Sequence, residues 1–128
     1  RLAEATAEWL HYKVRTEIWG YTPNEKLDVN EFFKTHYKGI RPAVGYPSLP
    51  DQSIIFTLDK LIKFEDMGVM LTENGAMFPN ASVSGLMFDH PKSKYFNIGK
   101  IDENQFQDYA RRCGKSPEVL RKWLASNL

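Results

Sequence analysis

Cysteine is nearly absent from this chain, which has one, Cys113, in 128 residues. A single cysteine excludes an internal disulfide and favours a reducing compartment, so we expect a cytoplasmic location. Cys113 ends a predicted helix, in step with Phe106, Tyr109 and Ala110. We therefore predict a packed thiol rather than a catalytic one.

Runs of like charge and long apolar runs are also missing. The 17 basic and 16 acidic residues leave a formal net charge of +1 and are interspersed along the chain. This pattern lacks the basic footprint of a protein that binds nucleic acid or an anionic membrane surface. The apolar runs are too short to cross a bilayer. We therefore expect neither nucleic acid nor membrane as a partner.

Motifs of metal binding and of catalysis are missing as well. The three histidines, His11, His36 and His90, lack the short paired spacings of a zinc site and have no cysteine partners. The chain contains no phosphate-binding loop, dinucleotide-binding fingerprint or nucleophile elbow. The sequence therefore predicts no metal site and no catalytic residue.

What is present is a pattern of helices towards both ends of the chain, with strands between them. Helical apolar spacing and capping signals predict helices near 1–19, 28–37, 52–66, 103–113 and 117–125. Over 69–101 the period becomes strand-like, and 82–88 and 95–101 are predicted to form an antiparallel hairpin. The chain is thus predicted to be α+β, a single domain with a curved antiparallel sheet flanked by helices. Because the helical pattern starts at Arg1 without an N-cap, we expect residues 1–128 to be one domain truncated at its N-terminal side.

Residues 41–51 hold three prolines, one glycine, an arginine and a tyrosine. Proline fixes φ and removes a backbone donor, so the segment is predicted to be a stiff, nearly extended loop. Arg41 at its start suits a carboxylate or a phosphate, because guanidinium offers a planar fork of donors and stays charged. The alternative is an ordered connection between two helices with a solvated arginine.

One stripe of the first predicted helix is polar and consists of Glu4, Glu8, His11 and Arg15. It lies beside a predicted apolar face made of Ala3, Ala7, Leu10, Val14 and Ile18. Taken alone, such a polar stripe is most often a solvated surface.

Several separate motifs occur in order along the chain. The main ones are RPAVGYP at 41–47, ASVSGLMF at 81–88, DHP at 89–91 and SKYF at 93–96, accompanied by RLAEA at 1–5, WGY at 19–21, YKGI at 37–40, LTE at 71–73 and DYA at 108–110. Together they resemble the C-terminal activation domain of cobalamin-dependent methionine synthase over nearly the whole chain. In that family the domain is the last module of a much longer enzyme.

The resemblance implies an extended groove that binds S-adenosylmethionine. It implies that Arg41 holds the ligand carboxylate and that Ala43 offers backbone groups to the ligand. It also implies that Tyr95 and Phe96 contact the adenosyl portion. Glu4 matches a family acid near the amino or sulfonium end of the ligand.

The resemblance further implies what the domain does for the whole enzyme, a methyltransferase of methionine biosynthesis. That enzyme moves a methyl group from methyltetrahydrofolate through cobalamin to homocysteine. Occasionally the cobalamin is oxidised to an inactive state. The resemblance implies that the activation domain then presents S-adenosylmethionine for the reductive methylation that restores it, while flavodoxin or a related reductase supplies an electron. The resemblance implies that another domain holds cobalamin and that Tyr46 faces it when the modules close. The chain alone is expected to be inactive. The rival hypothesis is a non-catalytic interaction module that docks onto the cobalamin domain or a flavodoxin-type reductant.

Overall fold

The computed structural model describes residues 1–128, with helices and strands in the predicted order. Helix α1 spans Leu2–Lys13 and continues into a π-helical turn, Val14–Ile18, and α2 spans Val29–Phe33. Helix α3 spans Ile54–Ile62 and is followed by a 3₁₀ turn, Phe64–Met67. Strands β1, Met70–Leu71, and β2, Met77–Phe78, precede α4, Glu103–Cys113, and α5, Pro117–Trp123. The α+β class is confirmed.

Capping residues fix several helix ends as predicted. Helices α2 and α4 begin with capping boxes built on Asp28 and Asp102, in which side chains satisfy two backbone donors of the first turn. Two predicted helices are shorter than expected, because Thr35 with φ 52° and Lys63 with φ 50° leave the helical region. Each helix falls short of the length and apolar character that a membrane span requires.

The sheet is smaller than the sequence suggests. Strands β1 and β2 pair antiparallel, in a register that aligns Met70 with Phe78. Residues 95–101 form no strand, and Gly99 with φ 70° interrupts the extended backbone there. The 82–88 stretch therefore does not pair with 95–101 in a hairpin. Instead, Phe88 forms an antiparallel bridge with Ile40.

The chain packs as two compact units. The first comprises Arg1–Pro42 and Gly85–Tyr95, and the second comprises Ala43–Ser84 and Phe96–Leu128. The first therefore contains α1, the π-helical turn and α2, and the second contains the remaining helices and both strands.

The second unit contains both apolar cores of the chain. One includes Phe106 of α4 and Leu120 of α5, and the other includes Ile55 of α3 with Phe64 and Val44. Full burial of a large apolar side chain stabilises the fold by roughly 1.5–3 kcal/mol. These cores therefore hold α3, α4 and α5 in place.

Cys113 lies outside these cores. Its side chain is exposed at the last residue of α4, so the prediction of a packed thiol is wrong. Phe106 and Ala110, at helical spacing from it, are buried. The apolar face of α4 thus ends one turn before the helix does.

The first unit has a polar interior. The fully buried side chains of α1 and the π-helical turn are His11 and Arg15, whereas Ile18 of the predicted apolar face is 71% exposed. Buried polar groups are tolerated where partners satisfy them, and aromatic rings supply part of the packing here. The Arg15 guanidinium lies over the Tyr37 ring, 4.0 Å from its centroid, and 5.9 Å from the ring centroid of Phe32. The expected solvated stripe is therefore buried at His11 and Arg15, whereas Glu4 at its start is exposed.

Candidate ligand-binding site

A close backbone approach in the first unit fixes the start of the proline-rich loop. Ile40 and Phe88 exchange both of their backbone hydrogen bonds, at 3.1 and 2.9 Å. Gly39, immediately before, has φ 86°, and a Cβ built there would lie 2.4 Å from the carbonyl oxygen of Phe88. Only glycine fits this position without moving the backbone. Two residues later the chain reaches Arg41.

Arg41 is held at both its backbone and its side chain. Its backbone N–H donates to the hydroxyl of Tyr95 at 2.9 Å, and its Nη2 donates to Oε2 of Glu8. The Arg41 and Glu8 side chains are 27% and 30% exposed, so their ion pair lies at the edge of the interior. Burial lowers the pKa of Arg41, but the hydrogen bond and charge of Glu8 outweigh it, so the net pKa is raised. The guanidinium stays charged and remains partly accessible.

Tyr37 also hydrogen-bonds the Glu8 carboxylate. Its hydroxyl donates to Oε2 of Glu8 at 3.5 Å, a long hydrogen bond. Burial, and secondarily the charge of Glu8, raises the pKa of Tyr37 to about 12. The hydroxyl is therefore a donor throughout the neutral range.

The buried His11 contacts both Tyr37 and Tyr21. The His11 ring meets Tyr37 edge to face, with centroids 5.2 Å apart, and its Nε2 lies 3.4 Å from the Tyr21 hydroxyl. Burial, with the charges of Arg15 and Arg41, lowers the pKa of His11 to about 4. His11 is thus neutral at pH 7.

Several buried polar atoms of this cluster have no protein partner. They include Oε1 of Glu8, Nε of Arg41 and Nδ1 of His11. Buried polar groups are satisfied in the large majority of cases, so these atoms require water or a bound ligand as a partner. The cluster can hold an anion at the accessible part of the Arg41 guanidinium, which the Glu8 carboxylate keeps in one orientation.

The structure brings two of the predicted site residues together, Arg41 and Tyr95. Glu4 lies one turn of α1 before Glu8, has an 82% exposed side chain and pairs only with the N-terminal amine, at 3.7 Å. Glu8 and Tyr37 were not predicted as site residues. The signals that could have found them were the shared helical stripe of Glu4 and Glu8, and the position of Tyr37 in the YKGI motif.

The remaining predicted residues, Ala43, Tyr46 and Phe96, belong to the second unit. Tyr46 is 65% exposed in a tight turn, where it bridges Leu49 and borders a cleft of about 310 Å³. The backbone N–H of Phe96 donates to the Ser48 hydroxyl at 3.0 Å, which ties the 96–98 segment to the loop. The predicted stiffness of the loop therefore comes from turns and side-chain hydrogen bonds as well as from its prolines.

Comparison with known proteins identifies the family. Residues 1–114 match the family described as vitamin B12 dependent methionine synthase, activation domain. The chain belongs to this family. Among solved structures, the reactivation domain of MetH bound to AdoHcy is similar, with a TM-score of 0.95 and 49% sequence identity over 100% of this chain.

Membership of the activation-domain family confirms the resemblance found in the sequence motifs. The chain covers 40% of the length of the MetH chain that it matches. The contacts of Arg41, Tyr95 and the other named residues with a ligand stay predictions.

Proposed function

We propose that this activation domain binds S-adenosylmethionine and presents its methyl group for the reductive reactivation of cobalamin in methionine synthase. The observation that carries the proposal is Arg41, whose backbone N–H donates to Tyr95 and whose guanidinium pairs with Glu8 yet stays partly open to solvent. The similar MetH domain was solved with AdoHcy, which is S-adenosylmethionine without the transferred methyl group. Both compounds carry the same amino-acid carboxylate and adenosyl group, so one site serves both.

Each site residue has a role in this proposal. Arg41 receives the amino-acid carboxylate by charge-assisted hydrogen bonds, and Ala43 lets the ligand approach the loop backbone. Tyr95 and Phe96 contact the adenosyl portion. Glu4 offsets the positive charge at the amino or sulfonium end. None of these residues needs to act as acid, base or nucleophile, because the contribution of the chain is binding and orientation.

Cobalamin would be held by another domain of the full-length enzyme and would supply the metal centre for methyl transfer, with flavodoxin or a related reductase as the electron donor. The structure has no group of three or more His, Cys, Asp or Glu side chains placed to hold a metal ion. In this proposal the chain holds the methyl donor in line and keeps it fixed, which converts a collision into a nearly unimolecular step. The complete enzyme would use the restored cobalamin to make methionine from homocysteine, and the chain alone would be inactive.

A second candidate function is docking without ligand binding. The 65% exposed Tyr46 favours it, because exposed aromatic rings are enriched among residues that anchor protein interfaces. The cobalamin domain or a flavodoxin-type reductant would be the partner. The two functions differ in whether the chain binds S-adenosylmethionine by itself.

Calorimetric titration with S-adenosylmethionine and AdoHcy tests the proposal. Arg41→Ala should weaken binding by roughly ten- to a hundredfold, since it removes a charged hydrogen-bond donor. Arg41→Lys should restore part of the affinity, because an ammonium does not reproduce the planar fork. Arg112→Ala is the matched control, as Arg112 has a 73% exposed side chain on α4. Equal binding by Arg41→Ala and the unaltered chain would overturn the assignment of Arg41, and no binding by the unaltered chain would favour docking.

A further inference from the structure

We infer that Glu8 and Tyr37 are positioning residues that fix the Arg41 guanidinium, and that this arrangement makes the site select adenosyl compounds with an amino-acid carboxylate. The inference rests on the proposed function, because it assumes that the carboxylate of the ligand meets Arg41. It adds two residues and a basis for ligand selection.

Glu8 is the only side chain that hydrogen-bonds the Arg41 guanidinium. The contact joins Nη2 to Oε2, and Nε of Arg41 is buried without a partner. Arginine has many rotamers, and a ligand that must first order one loses affinity. Glu8 removes that cost by holding the guanidinium before the ligand arrives.

Tyr37 in turn holds Glu8, and Tyr37 is itself fixed by rigid neighbours. Its hydroxyl lies 3.5 Å from the oxygen of Glu8 that accepts from Arg41. The fully buried Arg15 covers one face of its ring, and the His11 ring packs against it nearly perpendicular, at an interplanar angle of 87°. Because Arg15 is fixed by two hydrogen bonds to Glu25, at 2.8 and 2.7 Å, the support for Arg41 reaches into the interior of the first unit.

The charge of Glu8 also affects which anion the site accepts. The ion pair of Glu8 and Arg41 has no net charge, so its long-range attraction for anions is weak. Recognition then depends on oriented donors at short range, which suits a single carboxylate within a zwitterion. A ligand without that carboxylate gains nothing from the arrangement.

The ratio of affinities for two probes tests the inference. AdoHcy carries the amino-acid carboxylate, whereas 5′-methylthioadenosine has the adenosyl group and the thioether but no carboxylate. Titration of both probes into the unaltered chain gives the reference ratio, which is the affinity for AdoHcy divided by the affinity for 5′-methylthioadenosine. Glu8→Ala should lower this ratio on the order of tenfold, because it impairs the charge-assisted contact between Arg41 and the carboxylate. The affinity for AdoHcy should fall, while that for 5′-methylthioadenosine should stay unchanged.

Conservative changes separate positioning from a general structural role. Glu8→Gln keeps a carbonyl acceptor for Arg41 and should restore most of the ratio, while Tyr37→Phe should lower it by about threefold. Glu17→Ala is the control, because Glu17 lies in the following helical turn and pairs only with Lys13 at the surface. If circular dichroism shows that Glu8→Ala is unfolded, the test uses Glu8→Gln and Tyr37→Phe instead.

The outcomes distinguish this inference from the proposed function. Failure of the unaltered chain to bind AdoHcy would overturn the proposed function itself. Normal binding of AdoHcy, together with an unchanged probe ratio in Glu8→Ala and Tyr37→Phe, would overturn the positioning role alone. An equal loss of affinity for both probes would also overturn it, because that result indicates a general packing defect.

Discussion

Arg15 and Glu25 form a two-point ion pair in the interior of the first unit. Nε of Arg15 lies 2.8 Å from Oε2 of Glu25, Nη2 lies 2.7 Å from Oε1, and the side chains are 0% and 6% exposed. An ion pair removed from water is stable only when its geometry satisfies both charges, and the removal of one partner leaves the other charge buried.

Glu25→Gln should therefore destabilise the chain strongly, by about 3–5 kcal/mol in the free energy of unfolding. Urea unfolding followed by circular dichroism measures it. The comparison is Glu103→Gln, which removes a carboxylate that pairs with Arg121 at the surface, where both side chains are more than half exposed (58% and 51%). That change should cost far less than Glu25→Gln, because the pair of Glu103 and Arg121 is screened by solvent. Similar losses for the two variants would contradict the structural role given to the buried pair.

His11 should make stability depend on pH between about 4 and 6.5. Its pKa is lowered to about 4, mainly by burial and then by Arg15 and Arg41, against the opposing charges of Glu8 and Glu25. An unfolded histidine titrates near 6.5, so within this window the unfolded chain binds more protons than the folded chain. The contribution of neutral His11 to the free energy of unfolding is fully present above pH 6.5 and is lost as the pH falls towards 4. The total loss is roughly 3 kcal/mol.

Denaturant unfolding at several pH values checks this dependence. His11→Gln, which cannot titrate, should flatten the slope across the window, whereas His36→Gln, at an exposed position, should keep it. The difference between the two variants isolates the histidine from the carboxylates that titrate nearby. A slope in His11→Gln equal to that of the unaltered chain would assign the pH dependence to other groups.

Gly39→Ala should disturb the approach of the loop to Phe88 and so move Arg41. The residue has φ 86°, and its added methyl group would meet the Phe88 carbonyl oxygen at 2.4 Å. Gly99→Ala is the matched control, because Gly99 has φ 70° but nothing within 4 Å of the added atom. The control isolates the cost of the left-handed backbone, about 1–2 kcal/mol.

The expected result is a larger loss of unfolding free energy for Gly39→Ala than for Gly99→Ala, by at least about 1 kcal/mol. Affinity for AdoHcy should also fall in Gly39→Ala and stay unchanged in Gly99→Ala, since only the former lies two residues from Arg41. Equal destabilisation by both changes would mean that the backbone near Phe88 accommodates the methyl group without strain.

Local sequence signals predicted the helices of this fold well. Asp28, Asp102 and Ser116 cap their helices as expected, because each cap joins residues only three positions apart. The sheet was harder to predict. Strand-like alternation over 82–88 was visible, but its actual partner, the segment around Ile40, is far away in sequence. Alternation indicates an extended backbone without identifying the strand that pairs with it.

The site was only partly predictable for a related reason. Arg41 was recognised because its loop has a distinctive composition and a family motif. Glu8 and Tyr37 gain their importance only when α1 and the segment before Arg41 come together. His11 and Arg15 were expected at the surface, since periodicity cannot reveal that a polar stripe meets aromatic rings and a carboxylate partner.

Tyr46 should matter for reactivation more than for turnover in the complete methionine synthase. The ring is 65% exposed, while the turn that carries it is closed by backbone hydrogen bonds of 2.9 Å, from Gly45 to Leu49, and 2.8 Å, from Leu49 to Tyr46. Removing the ring should therefore leave the turn and the stability of the fold nearly unchanged, within about 0.5 kcal/mol. An exposed aromatic ring on a fixed turn is suited to meet a partner surface, which we propose to be the cobalamin domain.

In the full-length enzyme, Tyr46→Ala should slow the recovery of activity from oxidised cobalamin at least severalfold, because the proposed function uses the activation domain only in that step. Steady-state turnover of enzyme that is already active should change little. Tyr46→Phe should recover most of the reactivation rate, because it keeps the ring, and Phe78→Ala controls for loss of another exposed aromatic ring, at 56% exposure. Both rates would be measured on the same preparation, with the chemical reductant and S-adenosylmethionine held constant. An equal loss of reactivation and turnover would show that Tyr46 supports the fold of the loop, since a residue used only in the reactivation complex has no contact to lose during turnover.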